Sequence, residues 1–300
     1  MKIGLIDVDS KIPNLALMKI SAFHKGEGDI VEFCNPMLND YDRVYVAKVF
    51  SFTPDISYLP INCEVIRGGS GYDIDSKLSD INGKIDNLCP DYSLYGIDYA
   101  MGFTSRGCIR NCGFCIVPRK EGRFQPVADI HQFWRGEKYA MLLDNNLTAD
   151  HEHFLRICGQ LVKHKICTSF RQGLDIRLMD EEKSKMLSMV SRWDKKRIFF
   201  AWDSMEVEHE VKRGIETVIR FIKPWKLTFY VLIGWDTTRD EDMYRVEVLK
   251  SYGIDSFVMP YDKHDLYQSA FARWVNHKAV FNSVSWPDYR HGRWKGTECG

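Results

Sequence analysis

Three cysteines stand close together in the stretch RGCIRNCGFC (106–115), at Cys108, Cys112 and Cys115. Thiolates are soft ligands that suit zinc or iron–sulfur centres, and this Cys-x3-Cys-x2-Cys spacing is compact enough for one loop to wrap one metal centre. A closed structural zinc site takes four ligands, and a four-iron cube normally takes four cysteines. Three thiolates leave one position open to a small molecule, as catalytic metal sites do. Two plainer readings stand beside this one: a zinc site completed by a distant histidine, and a set of thiols without metal. The other six cysteines, Cys34, Cys63, Cys89, Cys158, Cys167 and Cys299, are scattered. Cys158 falls on an apolar helical stripe and reads as a core residue.

A second group of residues with chemistry to offer sits where strands are expected to stop. These are Asp144-Asn145-Asn146, Gln172 with Asp175 and Arg177, Asp203, Gly234-Trp235-Asp236, and Tyr261-Asp262. Polar side chains in a buried strand need partners. In an extended strand Asp175 and Arg177 would point the same way, free to pair with each other or to hold a ligand.

The elements behind these residues follow from periodicity. Residues 1–95 read as a small α/β unit. Strands are expected at 2–8, 29–34, 43–50 and 63–69, with a helix over PNLALMKISAFHKG that places Pro13 in its first turn and Gly26 at its end. The turn GGSGYD (68–73) closes this unit, and a weakly periodic linker follows. From about residue 100, six strands are expected at 100–105, 139–145, 170–178, 197–203, 227–235 and 256–262, each followed by a helical pattern. The helical stripes include Phe154, Ile157 and Leu161, and Val211, Ile215 and Val218. Such alternation argues for parallel sheets, and by analogy with the eight-unit barrel it predicts a (β/α)6 partial TIM barrel over 96–285, its chemistry at the C-terminal strand ends. Residues 286–300 read as a solvated tail.

The 300 residues carry 41 basic and 41 acidic side chains and are 45% hydrophobic, enough for a real core. Neutral balance gives no call for nucleic acid or an anionic membrane as partner. No targeting segment or apolar run of membrane-spanning length stands out. An odd number of cysteines, nine, fits a reducing compartment, and the expectation is a cytoplasmic protein.

At Cys108, Cys112, Phe114 and Cys115 the chain resembles the radical S-adenosylmethionine (radical SAM) superfamily, whose signature is Cys-x3-Cys-x-aromatic-Cys. The resemblance extends through most of 96–280. It implies a [4Fe–4S] cluster on the three cysteines and S-adenosylmethionine on the fourth iron, cleaved to methionine and a 5′-deoxyadenosyl radical that abstracts hydrogen from a substrate the sequence does not name. It also implies an electron donor of flavodoxin or ferredoxin type. Arg106 and Arg110 would place positive charge beside the cluster. Cofactor contacts are implied at Phe114, at Asp144, Asn145 and Asn146 in place of the family's Gly-Gly-Glu-type motif, at Gln172, Asp175 and Arg177, at Asp203, and at Gly234.

The segment YVLIGWDTTRDED is similar to the strand-five region of cobalamin-type and methylthiotransferase-type members, with Gly234, Thr237 or Thr238, and Glu241 in loose register. The same segment offers Thr238 and Glu241 as a helix capping box, and the two roles are compatible. The N-terminal unit resembles the Rossmann-like domain of cobalamin-binding members. Its first loop, DVDSKIP, lacks the cobalt-ligating histidine of the Asp-x-His-x-x-Gly pattern. That favours a retained scaffold or substrate-binding domain, with cobalamin held without a protein ligand left open. Two alternatives remain: a methyltransferase or methylthiotransferase acting on RNA or protein, the latter with a second cluster on Cys34, Cys63 and Cys89, and a non-enzymatic zinc module.

Overall fold

The computed structural model describes residues 1–35, 37–38, 40–193 and 197–291. Its backbone contacts divide the chain into two compact units, one of residues 1–110 and 116–143, the other of 111–115 and 144 onward.

The first unit opens with a four-stranded parallel sheet. Strands β1 (Lys2–Asp7), β2 (Ile30–Phe33), β3 (Arg43–Ala47) and β4 (Glu64–Gly68) lie in the order β2-β1-β3-β4. Period-two alternation separates its faces. Ile3, Leu5, Tyr45 and Ala47 pack with Leu17 and Ile20 of helix α1 (Leu15–Gly26), while Val44 and Val46 pack on the other side with Tyr41, Ile6 and Val8. The helix begins later than expected. Asn14 is its N-cap, accepting from the Ala16 and Leu17 amides at 3.0 and 3.2 Å, and Pro13 lies before the cap. Its end is also displaced, because Gly28, at φ 86°, takes the left-handed position expected of Gly26.

Residues 76–100, which read as a linker, pack onto the core of this unit. Ile85 is fully buried, and Leu78, Ile81 and Leu94 pack against the α1 side of the sheet. The Asp91 carboxylate ties the segment to α1 by accepting from Ser21 Oγ at 2.6 Å and Lys25 Nζ at 2.7 Å. Weak periodicity concealed this because the apolar residues arrive on three short 3-10 turns rather than on one helix.

Beyond it come β5 (Ala100–Gly102), β6 (Ser105–Arg106), the short helix α2 (Val117–Lys120), β7 (Gln125–Pro126) and β8 (Tyr139–Leu142). β5 pairs with β8 in parallel, and β6 with β7 antiparallel. Of the expected strand 100–105, only these two short pieces form.

In the second unit α3 (His151–Lys163) precedes β9 (Cys167–Phe170), and α4 (Glu181–Met189), β10 (Ile198–Ala201), α5 (Glu208–Ile219), β11 (Leu227–Ile233), α6 (Arg239–Ser251), β12 (Asp255–Pro260), α7 (Leu266–Asn276) and α8 (Lys278–Ser283) follow. Strands β10, β11 and β12 form a parallel sheet in that order. The apolar stripes of α3 and α5 are buried, with Phe154, Ile157 and Leu161 on α3 and Val211, Ile215 and Val218 on α5 fully enclosed, whereas Leu266, read as part of the α7 stripe, is 55% exposed. Cys158 is fully buried too, and burial, with the Asp144 carboxylate adding to it, pushes its thiol pKa up.

The architecture is thus mixed α/β with parallel sheets, and the described residues form no closed barrel. The expected strand over 170–178 is absent. β9 stops at Phe170, Gly173 turns the chain at φ 81°, and an isolated bridge from Leu174 to Phe200 is followed by a 3-10 turn at Ile176–Leu178. The segment from 286, read as a solvated tail, is packed as far as it is described. Trp286 and Tyr289 are buried and stack at 5.9 Å, and Trp274 Nε1 donates to the Val284 carbonyl at 2.9 Å. Residues 292–300, including Cys299 and most of the basic end, lie outside the described residues. Among the described residues no helix is long and apolar enough to cross a membrane.

Candidate functional site

The cysteine segment is the loop between β6 and β7. Its two limbs run side by side in the first unit, with the Cys108 amide donating to the Gly122 carbonyl at 3.2 Å. Gly107 sits at φ 73°, where a Cβ would fall 2.3 Å from the Arg123 carbonyl oxygen, so only glycine lets the limbs approach this closely. The Arg110 amide donates to Cys108 Sγ at 3.3 Å. Arg106, expected to offer its charge to a cluster, is matched instead by Glu121, with Nε at 2.6 Å from Oε2, and its guanidinium lies 4.0 Å from the Phe103 ring centroid.

Residues 111–115 belong to the second unit. The Cys115 amide donates to the Cys112 carbonyl at 3.0 Å, closing a tight turn, and both cysteines are partly buried. Phe114 meets Trp235 edge-on, with ring centroids 6.2 Å apart and planes at 72°. Trp235 in turn packs on Tyr261 at 4.7 Å. A Cβ on Gly113 would lie 3.0 Å from Trp235 Cζ2. The cysteine turn is therefore seated on aromatic residues at the C-terminal ends of β11 and β12. Trp235 was legible only as part of a strand end. Nothing in the sequence paired it with Phe114, more than a hundred residues away.

The polar strand ends of this unit are joined by Thr148. Its hydroxyl donates to Asn146 Oδ1 at 2.8 Å and accepts from the Asp175 amide at 3.1 Å, while its carbonyl accepts from the buried Lys183 Nζ at 3.2 Å. Asp175 and Arg177 form a two-pronged ion pair, Nε to Oδ1 at 2.6 Å and Nη2 to Oδ2 at 2.8 Å. They do so from a turn, with Asp175 also capping Ile176–Leu178, rather than as neighbours on one strand face. Burial works against the Arg177 charge, but Asp175, with Cys112 and Asp203 adding to it, more than offsets this and its pKa is raised. Asp203 accepts from the Leu232 amide at 3.0 Å; burial pushes its pKa up against that bond and the nearby Arg245 and Arg177.

Asn146 and Asp144 are buried and Asn145 partly so. Gln172 is exposed in the turn after β9, and among the described residues no hydrogen bond joins it to this network. Gly234 has a conformational role: it sits at φ 77°, and a Cβ there would lie 2.2 Å from the Gln268 side chain, whose Oε1 accepts from the Asp262 amide at 2.9 Å. Thr238 and Glu241 form the expected capping box at the start of α6.

The turn carrying Arg177 rests on α5 at Gly214, where a Cβ would fall 2.2 Å from the Ile176 carbonyl oxygen. Alanine in a helix interior is worth about 1 kcal/mol over glycine. Gly214→Ala is nonetheless expected to destabilise the protein by about 1–3 kcal/mol, because this backbone contact cannot rotate away. Chemical denaturation measures this, and a stability gain would mean that the turn yields freely.

Among the described residues no three His, Cys, Asp or Glu side chains are gathered to hold a single metal ion. In a four-iron cube each thiolate sits on its own iron, so its ligands stand farther apart than around one ion. The donor set suits the cube: three thiol-bearing residues in one short loop, with a backbone amide on one sulfur.

No protein-family model matches the chain, and no curated protein does. Among solved structures, it is similar in fold to the radical S-adenosylmethionine methyltransferase TsrM from Kitasatospora setae, a structure with cobalamin and a [4Fe–4S] cluster bound. The TM-score is 0.65 at 12% identity, over 86% of this chain and 74% of that one.

Proposed function

We propose that this chain is a radical SAM enzyme, with Cys108, Cys112 and Cys115 holding a [4Fe–4S] cluster and S-adenosylmethionine on the open iron. The observation that carries this reading is the seating of the Cys112–Cys115 turn, through Phe114 on Trp235, at the C-terminal ends of parallel strands, in a fold similar to that of a radical SAM methyltransferase. Bound together, cluster and cofactor supply one-electron cleavage of the sulfonium to a radical that abstracts hydrogen. The chain's own part is to bind and orient. Asp144, Asn145 and Asn146 are the candidates for the methionine amino group, Asp175 and Arg177 for the ribose and carboxylate, and Asp203 stands behind them.

Cobalamin is not part of this proposal. In the loop after β1, Asp7 accepts from Tyr95 Oη at 2.6 Å and Asp9 from the Val49 and Phe50 amides at 2.7 and 2.9 Å. Those carboxylates brace the sheet, and the loop has no histidine for cobalt. A second cluster draws no support either. Cys34 and Cys63 pack on one face of the first sheet, whereas Cys89 Sγ lies 3.5 Å from the Phe133 carbonyl.

Anaerobic reconstitution tests the reading. About four irons per chain are expected, with 5′-deoxyadenosine formed from S-adenosylmethionine and dithionite. Bound zinc in place of iron, and no deoxyadenosine, would overturn it.

A further inference from the structure

The chain is neutral overall, yet residues 106–123 carry five basic side chains, Arg106, Arg110, Arg119, Lys120 and Arg123, against the single acid Glu121. Some of these are engaged locally. Arg106 pairs with Glu121, and Lys120 Nζ donates to Ser70 Oγ. Arg119 and Arg123 are exposed, and no ion pair among the described residues holds either. Between these charges the same loop exposes aliphatic surface: Ile109 is 46% exposed, Ile116 50%, and Val127, just past β7, 45%. The paired limbs fix this arrangement, since the Cys108–Gly122 bond and the Arg106–Gln125 pairing hold Arg123 beside Cys108.

Exposed arginines and exposed aliphatic side chains together, on the loop that carries the cysteines, make a surface that an acidic protein partner fits. Opposite charges steer such an encounter, and the apolar centre gives it a dry contact. An RNA would meet the same charge, but Ile109, Ile116 and Val127 offer no ring on which a base could stack. We infer that this face docks an acidic one-electron carrier protein which reduces the cluster. The inference rests on the radical SAM reading for its purpose, and on the charge pattern for its place. One electron leaves the carrier's reduced flavin or iron–sulfur centre, which is oxidised by one, and enters the cluster held by the three cysteines; no atom is exchanged.

The test uses the reconstituted protein and a reduced flavodoxin of net negative charge. Direct binding, followed anaerobically by biolayer interferometry, is expected at low ionic strength. It should weaken by about tenfold or more in the Arg119→Glu/Arg123→Glu variant and on raising salt to about 0.5 M, with Arg119→Gln/Arg123→Gln in between. Flavodoxin-driven deoxyadenosine formation should fall in parallel, while the dithionite-driven rate stays at the wild-type value. Binding and flavodoxin-driven rate both unchanged in the Glu variant would overturn the docking surface. So would tighter, charge-dependent binding of a single-stranded RNA oligonucleotide at the same residues. A protein that binds flavodoxin through Arg119 and Arg123 but makes no deoxyadenosine even with dithionite would sink the radical reading and leave the surface standing.

Discussion

Replacing Cys112 with alanine is expected to take iron from about four per chain to near zero after reconstitution, and deoxyadenosine formation to background. The metal-free protein should meanwhile unfold within about 0.5 kcal/mol of the wild type, as a half-exposed side chain away from the core does. The effect is large because three thiolates are already the minimum set. The Cys112 carbonyl also closes the turn on Cys115. Alanine keeps the turn and removes only the sulfur. Cys158→Ala is the contrast. That thiol is fully buried on α3, so its loss should cost on the order of 1 kcal/mol and leave the iron count untouched. Iron analysis, the visible spectrum and denaturation separate the two. Iron retained at wild-type level in Cys112→Ala would remove this residue from the ligand set.

Why one cysteine could be told from the other in the sequence, while Trp235 could not be matched with Phe114, comes down to range. Cys158 sits on a 3.6-residue apolar stripe and the three ligand candidates sit on a short spacing, so both signals are local. The Phe114–Trp235 contact and the Thr148 bridge exist only once distant strand ends are brought together. The stretch 170–178 shows the limit inside a single element. FRQGLDIRL alternates as a strand does, but Gly173 takes a left-handed turn and Asp175 caps its own backbone. Both behaviours are open to Gly and Asp in any strand-like pattern. The consequence for the site is specific: Asp175 and Arg177 reach each other from a turn, with the Asp175 backbone amide held by the Thr148 hydroxyl. Likewise the strands of the first sheet and the buried stripes of α3 and α5 were readable from period alone. The packing of 76–100 and of 284–291 was not, since Ile85, Trp286 and Tyr289 lie on short turns with no period to detect.

A second large effect is expected one layer below the strand ends. Arg245 and Asp242 are an ion pair with side chains 0% and 1% exposed, joined at 2.7 Å. Arg245 Nη1 also donates to the Trp202 carbonyl at 2.9 Å, and Asp242 accepts from Thr237 Oγ1 at 2.8 Å and Tyr267 Oη at 3.2 Å. Burial pushes the Asp242 pKa up even against these partners, a sign that the carboxylate depends on them. Arg245→Met would leave that carboxylate enclosed without its counter-charge and is expected to cost about 3–5 kcal/mol. Arg245→Met with Asp242→Leu removes both charges and should recover most of the loss, because an apolar pair of similar volume carries no desolvation penalty. The pair also matters to the site. Trp202 immediately precedes Asp203, and Thr237 follows the Gly234–Trp235 turn on which Phe114 rests. The single variant is therefore expected to load less iron than the double variant, and to shift tryptophan fluorescence as Trp235 loosens. Denaturation curves with iron counts for both variants decide it. A single-variant cost below about 1 kcal/mol would show that water reaches Asp242 and that the strand ends are held by other contacts.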